Sequence, residues 1–335
     1  MTTTGKSSAK GALFGLTAFA LFATHDVIVK ALGGDYATFQ SVFFSVLLSF
    51  PLVVLMLMRD GTNATLIPRH PWWTALRTVA AIITGSAAFY AFSVLPLAQT
   101  YAILFAGPLI ITVLSIPILG EKVGAHRWGA VIVGLVGVLV VLRPGAAELG
   151  LGHLAALVAA ICGALAATIV RKIGRDERSA VLLLYPMMAN FILMAALLPL
   201  VYRPMPLEHL GLVAVMATLA FVAGLCLIAA YKAADAAVVA PMQYSQIIWA
   251  TVFGLLFFDE APDLITGIGA AIVMASGLYI VLREAFGGRS ATTPVLQSRT
   301  RPETATSPRT MAGLPGRGSS GLGSPAPLAK SKRTE

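Results

Sequence analysis

Apolar residues run along this chain in ten blocks divided by short polar breaks, at about 12–32, 38–58, 72–95, 97–119, 126–142, 153–171, 180–201, 208–230, 236–258 and 264–282. A helix needs about 20 such residues to cross a hydrocarbon layer ~30 Å thick. The pattern therefore predicts an all-α integral membrane protein of ten transmembrane helices. The connections are too short for an inserted soluble domain. Residues 1–11 precede the first block as a short terminus, and 287–335, rich in Ser, Thr, Pro, Gly and Arg, read as a disordered basic tail.

The blocks repeat. Pro96 to Gly145 reads as an apolar run, a charged break at Glu121 to Arg127, and a second run ending in Arg143-Pro144-Gly145; the same plan returns from Ala236 to Arg283. Glu121 aligns with Glu260, and Thr112-Val113 with Thr251-Val252, at an offset of 139. Beyond one extra residue, Gly129, Ala130, Gly137 and Arg143 recur as Gly269, Ala270, Gly277 and Arg283 at an offset of 140. Two halves of five spans each, 12–145 and 150–286, are expected. An odd number of spans per half makes them enter the membrane in opposite senses, the inverted-topology repeat of secondary transporters. Lys30, ending the first span, then aligns with Arg171, ending the sixth, at an offset of 141.

Composition supports the membrane reading: 57% of the 335 residues are hydrophobic and 12% charged, and the mean hydropathy is +0.83. The net charge of +9 does not signal nucleic acid, because most of it lies in the termini: 287–335 carry eight Lys/Arg against two acids, and 1–10 carry Lys6 and Lys10. Placing both termini in the cytoplasm leaves Lys30, Arg143 and Arg203 outside. It gathers Lys6, Lys10, Arg59, Arg69, Lys122, Arg127, Arg171, Lys172, Arg175, Arg178, Lys232 and Arg283 inside, as the positive-inside rule asks. The run after Lys10 shows no cleavage motif and is kept as the first span. Cys162 and Cys226 lie singly in apolar runs, as packing residues do.

Polar groups within spans are the candidate pathway. His25, Asp26 and Lys30 form the densest ionisable group; Asp26 and Lys30, spaced i, i+4, are placed to pair, while His25 points about 100° away from Asp26. Asp26 either titrates as the site changes access or is the paired partner of a snorkelling Lys30. Arg77 either snorkels or holds an anion, or Glu121, at the cytoplasmic mouth. Ser86, Tyr90 and Ser93 share a face of the third span. Tyr101, Phe105, Pro108, Thr112 and Ser115 share one of the fourth, where Pro108 permits a bend. In the ninth span Tyr244 takes the place of Phe105, and Gln243, Gln246 and Trp249 run at three-residue spacing; two glutamines in hydrocarbon need partners or a wet cavity. The Gly- and Ala-rich fifth and tenth spans suit close packing as scaffold.

The Pro96–Gly145 run, with GEK after the fourth span and LRPG after the fifth, resembles the EamA branch of the drug/metabolite transporter superfamily. So do residues 229–263, AAYKAADAAVVAPMQYSQIIWATVFGLLFFDEAPD, the first span's HDVIVK and Arg77. The resemblance implies a transporter spanning residues 10–285. One position departs: Phe43-Phe44 is followed by Ser45, where many relatives carry an arginine. A substrate held through that cation is not implied here.

The expected function is alternating-access transport of a small polar metabolite (amino acid, nucleoside-like or vitamin-like) across the inner membrane. A polytopic enzyme and a structural or receptor-like protein are the alternatives. The sequence lacks GxSxG, HExxH and clustered Cys/His ligands, which speaks against the enzyme. No cofactor or metal is expected. The expected partners are the substrate and the bilayer; a coupling proton and a homodimeric partner are left open, and nucleic acid is excluded.

Overall fold

The computed structural model describes residues 3–58, 66–121, 123–144, 149–174, 176–234 and 236–286. The basic tail, and the charges at Arg59, Lys122 and Arg175, lie outside the described residues. Twelve helices account for nearly all the rest: α1 (Thr3–Gly33), α2 (Thr38–Met58), α3 (Pro71–Val94), α4 (Leu97–Leu104), α5 (Gly107–Leu119), α6 (Ala125–Leu142), α7 (Leu151–Ile173), α8 (Ser179–Val201), α9 (Leu207–Ala233), α10 (Ala236–Val239), α11 (Ser245–Phe258) and α12 (Leu264–Phe286). A 3-10 turn, Ala240–Tyr244, joins α10 to α11. Helices are what long apolar runs must form where no water can satisfy the backbone. Eight stretches among the described residues are long and apolar enough to cross a membrane, with a shorter apolar helix at Thr38–Leu52. The chain is a multi-pass membrane protein.

Three differences from the sequence pattern stand out, and two of them have local causes. Helix α1 begins at Thr3, well before the apolar run. The fourth run breaks at Phe105–Ala106, where Pro108 opens α5 and its ring disfavours helix at the Leu104 carbonyl. The ninth run is not one helix: Pro241, which cannot donate to the turn before it, sits at the start of the 3-10 turn.

Helix α1 packs on α9 as α3 packs on α7, α2 on α9 as α8 on α3, and α1 on α11 as α7 on α5. Helices α6 and α12 pair with each other, as do α2 with α8 and α4 with α11. The α6–α12 contact is backbone on backbone: a Cβ on Gly137 would lie 3.0 Å from the Gly269 carbonyl, and one on Gly269 2.8 Å from the Gly137 carbonyl.

Two ends can be told apart. The Lys30 ammonium at the end of α1 donates to the Leu95 carbonyl after α3 (2.6 Å), and Gly152 at the start of α7 packs against Val94 and Leu95. This is the Lys30 end. At the other, Lys172 near the end of α7 stands 4.1 Å from the Trp73 ring at the start of α3. This is the Arg171 end.

Candidate functional site

Between the ends, four buried polar side chains from α1, α4 and α11 form one hydrogen-bonded chain. His25 Nδ1 lies 2.7 Å from Asp26 Oδ1. The Tyr101 hydroxyl donates to Asp26 Oδ2, and Gln246 Nε2 donates to the Tyr101 oxygen at 3.2 Å. Exposure is 5% for His25, 1% for Asp26 and nil for Tyr101 and Gln246. The Gln246 carbonyl oxygen Oε1 is buried without a hydrogen-bond partner, which costs about 1–3 kcal/mol in an interior.

Aromatic rings wall this chain. Phe92, Tyr101, Phe105 and Tyr244 succeed one another at centroid distances of 5.1, 5.8 and 5.1 Å, and the His25 ring meets Phe89 edge-on at 5.8 Å. The breaks in the fourth and ninth runs put Phe105 at the end of α4 and Tyr244 in the 3-10 turn. Both rings therefore stand where the regular helix stops.

Two readings of α1 are corrected. Helical angle places His25 and Asp26 apart, yet side chains one residue apart can bend together across 2.7 Å, and here they do. The i, i+4 spacing places Lys30 with Asp26, but the Lys30 ammonium reaches Glu260 at 2.8 Å. That contact leaves the Lys30 ammonium at the protein's end, nearer water than Asp26.

Other candidates lie elsewhere or satisfy themselves locally. Arg77 is buried and donates to the Leu182 carbonyl of α8. Thr112 and Ser115 turn their hydroxyls back to the Pro108 and Thr112 carbonyls, at 3.0 and 2.8 Å. Ser93 bonds the Tyr90 carbonyl and packs against Gly33, Tyr90 is half-buried, and Trp249 stacks on Phe253. Ser86 Oγ and Gln243 Nε2 are buried without a partner. Among the described residues, no group of three or more His, Cys, Asp or Glu is placed to hold a metal ion.

What the candidate residues did not include are two matched ion pairs. At the Arg171 end, Arg171 Nη2 meets Glu121 Oε1 at 2.6 Å, with both side chains nearly buried. At the Lys30 end, Lys30 meets Glu260 at 2.8 Å, with the Glu260 side chain 26% exposed. These four residues are the markers that align the two halves of the sequence. The helix caps that present the glutamates also match. Gly120 (φ 71°) and Asp259 (φ 54°) take the left-handed conformation that ends a helix. Then Glu121 N–H donates to the Ser115 carbonyl (3.3 Å) and Glu260 N–H to the Gly254 carbonyl (2.9 Å). The signal for these pairs was therefore in the sequence, as equivalence without partnership.

Each end is tied further. At the Lys30 end the Gln40 amide bonds both the Arg203 carbonyl (2.7 Å) and its N–H (2.8 Å), and Arg143 bonds Asp263. At the Arg171 end the Glu177 carboxylate accepts from His70 N–H at 2.5 Å. A cavity of about 110 Å³ at the Lys30 end is lined by Pro96, Gln99, Gly254 and Glu260, among others.

Comparison with known proteins agrees with this architecture. The S-adenosylmethionine uptake transporter of Rickettsia bellii is 26% identical over 260 residues, which cover 78% of this chain and 89% of the relative. The riboflavin transporter of Rhizobium johnstonii is 28% identical over 254 residues, 74% of this chain and 81% of that one. That of Vibrio cholerae is 27% identical over 276 residues, 81% and 92% respectively. A solved crystal structure superposes with a TM-score of 0.52 at 18% identity, over 80% of this chain and 96% of its own, a likeness of fold. The EamA-like transporter family profile matches twice, over residues 9–143 and 150–282, so this chain belongs to the EamA-like transporter family.

Proposed function

We propose that the protein is a secondary transporter in which ten spans, arranged as two inverted five-helix halves, alternate access to a site between α1, α4 and α11. The observation that carries this reading is the pair of matched closures, Lys30–Glu260 and Arg171–Glu121, at opposite ends of the bundle. Exchange of the two halves turns one closure into the other, and it also turns the α1–α9 contact into α7–α3. A bundle built this way has two conformations of similar design, one open at each end. With both termini in the cytoplasm, the Lys30 end faces out of the inner membrane and the Arg171 end faces in.

The site favours a small metabolite with a planar heteroaromatic ring, nucleoside-like or vitamin-like. Four aromatic rings offer stacking faces, and Gln246 Oε1 offers an unpaired acceptor. The substrates named for the relatives, S-adenosylmethionine and riboflavin, both join a nitrogen heterocycle to a hydroxylated five-carbon unit, a ribose ring in one and a ribityl chain in the other. Asp26 has each carboxylate oxygen already bonded, which suits a coupling-proton site better than a substrate contact.

The test is uptake by the purified protein in sealed liposomes, with riboflavin, S-adenosylmethionine, ribonucleosides and amino acids each supplied under a pH gradient. Accumulation of a heteroaromatic compound is expected. Gln246→Leu should lower it about tenfold, the loss of one buried hydrogen bond of ~1.4 kcal/mol. Uptake confined to amino acids would replace the heteroaromatic class, and undiminished uptake in Gln246→Leu would move the site away from α11.

A further inference from the structure

We propose that Tyr101 is a hydrogen-bond relay that reports the proton occupancy of Asp26 to the substrate-facing amide of Gln246. The inference rests on the reading of Asp26 as the coupling-proton site.

The direction of the chain follows from what each group can give. An ionised carboxylate only accepts, so Tyr101 spends its one hydroxyl proton on Asp26 Oδ2. Its oxygen is then the acceptor for a Gln246 N–H. The amide has to turn its NH2 group toward Tyr101, which leaves Oε1 on its other side, fully buried and without a partner. In this state the site asks its substrate for a hydrogen-bond donor, such as a ring N–H or an exocyclic amine.

A proton taken from water onto Asp26 Oδ2 reverses every step. The new carboxyl O–H donates to the Tyr101 oxygen, and the phenol proton swings toward Gln246. The amide must now present its carbonyl to Tyr101, so it flips and leaves NH2 on the other side. Only the O–H bond on Asp26 forms; Tyr101 and Gln246 rotate and exchange no proton. The site now asks for an acceptor, such as a ring carbonyl. One substrate edge thus finds a matched amide in one protonation state and a clash of like groups in the other.

The surroundings of Asp26 leave few rivals for this proton. His25 lies on the same carboxylate from its own helix, and Tyr101 comes from α4. Of the other helices packed on α1, α2, α10 and α11 carry no titratable residue. The 3-10 turn carries Tyr244 alone. On α3 Arg77 is bound to the Leu182 carbonyl, and Tyr90 is the remaining titratable group. On α9 His209 is held by Tyr36; Glu208 lies beside it in the first turn, Tyr231 and Lys232 near the far end, and Cys226 between. Lys30 faces Glu260.

Infrared difference spectra of the full chain in lipid, acid minus mildly alkaline buffer, test the relay with no substrate present. In the wild type a protonated-carboxyl band should appear together with a shifted glutamine carbonyl band; Asp26→Asn should lose both and Gln246→Leu only the second. Tyr101→Phe should keep the carboxyl band and lose the glutamine shift. If that variant does not fold, 3-fluorotyrosine at position 101 keeps ring and hydroxyl and should displace the two bands together. A glutamine shift that persists in Tyr101→Phe overturns the relay and leaves the proton site standing. A carboxyl band that survives Asp26→Asn, or protonation removed by His25→Gln alone, overturns both.

Discussion

Both Asp26 carboxylate oxygens are already hydrogen-bonded within the protein, to His25 and Tyr101, and this decides what its replacement should do. Asn has nearly the same shape and can accept one of those bonds, but it cannot take up a proton. Asp26→Asn is therefore expected to insert normally while its uptake stops responding to an imposed pH gradient. The check is the ratio of uptake with and without the gradient, which should fall to about one; a wild-type ratio would point to exchange or facilitated diffusion. A second prediction concerns Gly277. A Cβ there would lie 1.9 Å from the Tyr244 hydroxyl, and the Tyr244 ring is already set against Phe105 at 5.1 Å. Gly277→Ala should cost about 1–3 kcal/mol as an overpacked contact, read as a lowered melting temperature in lipid or detergent. Adding Tyr244→Phe removes the obstructing oxygen and should restore most of the loss. If the double variant melts as low as the single one, the clash lies elsewhere in α12.

At the scale of elements, the ion pairs join the tip of one helix to the cap that ends another. Removing one partner of a fully buried pair costs about 3–5 kcal/mol, mostly from the charge left alone; with Glu260 26% exposed, the cost at the Lys30 end is smaller but of the same sign. Glu260→Gln should therefore loosen the Lys30 end, and Lys30→Glu with Glu260→Lys should close it again. The rate at which a thiol reagent modifies Gln99→Cys, on the cavity wall beside the pair, reads the difference. Equal rates in single and exchanged variants would show that the pair does not hold that end. Much of this was written in the sequence. The 139- and 141-residue offsets identified all four charges, and the apolar runs located the helices. What the sequence could not give was partnership. Lys30 has an acid one turn away on its own helix and another far along the chain, and only tertiary packing brings Glu260 to 2.8 Å. The 3-10 turn is hidden for a different reason: Pro241 lies within an apolar run that continues unbroken on both sides of it. His25 and Asp26 were separated by ideal helical angles, which side-chain torsions are free to override.

For the molecule as a whole, the proposed orientation places the α8–α9 connection outside and the start of α6 inside. Glu208 and His126 are both exposed and lie on those two sides. A membrane-impermeant thiol reagent applied to intact cells should label Glu208→Cys and spare His126→Cys; the opposite pattern would invert the molecule. The matched ion pairs also bear on which end the proposed cycle rests open at. In the proposed cycle, the resting preference between outward-facing and inward-facing forms is the small difference between two similar latches, one built on lysine with its glutamate partly exposed, the other on arginine and shut away. A balance with such similar arms tips under a light weight. Under the proposed alternating access, a conservative exchange such as Lys30→Arg, touching neither the aromatic walls nor Gln246, is expected to move the pointer, while the direction of net transport stays with the gradients that drive it.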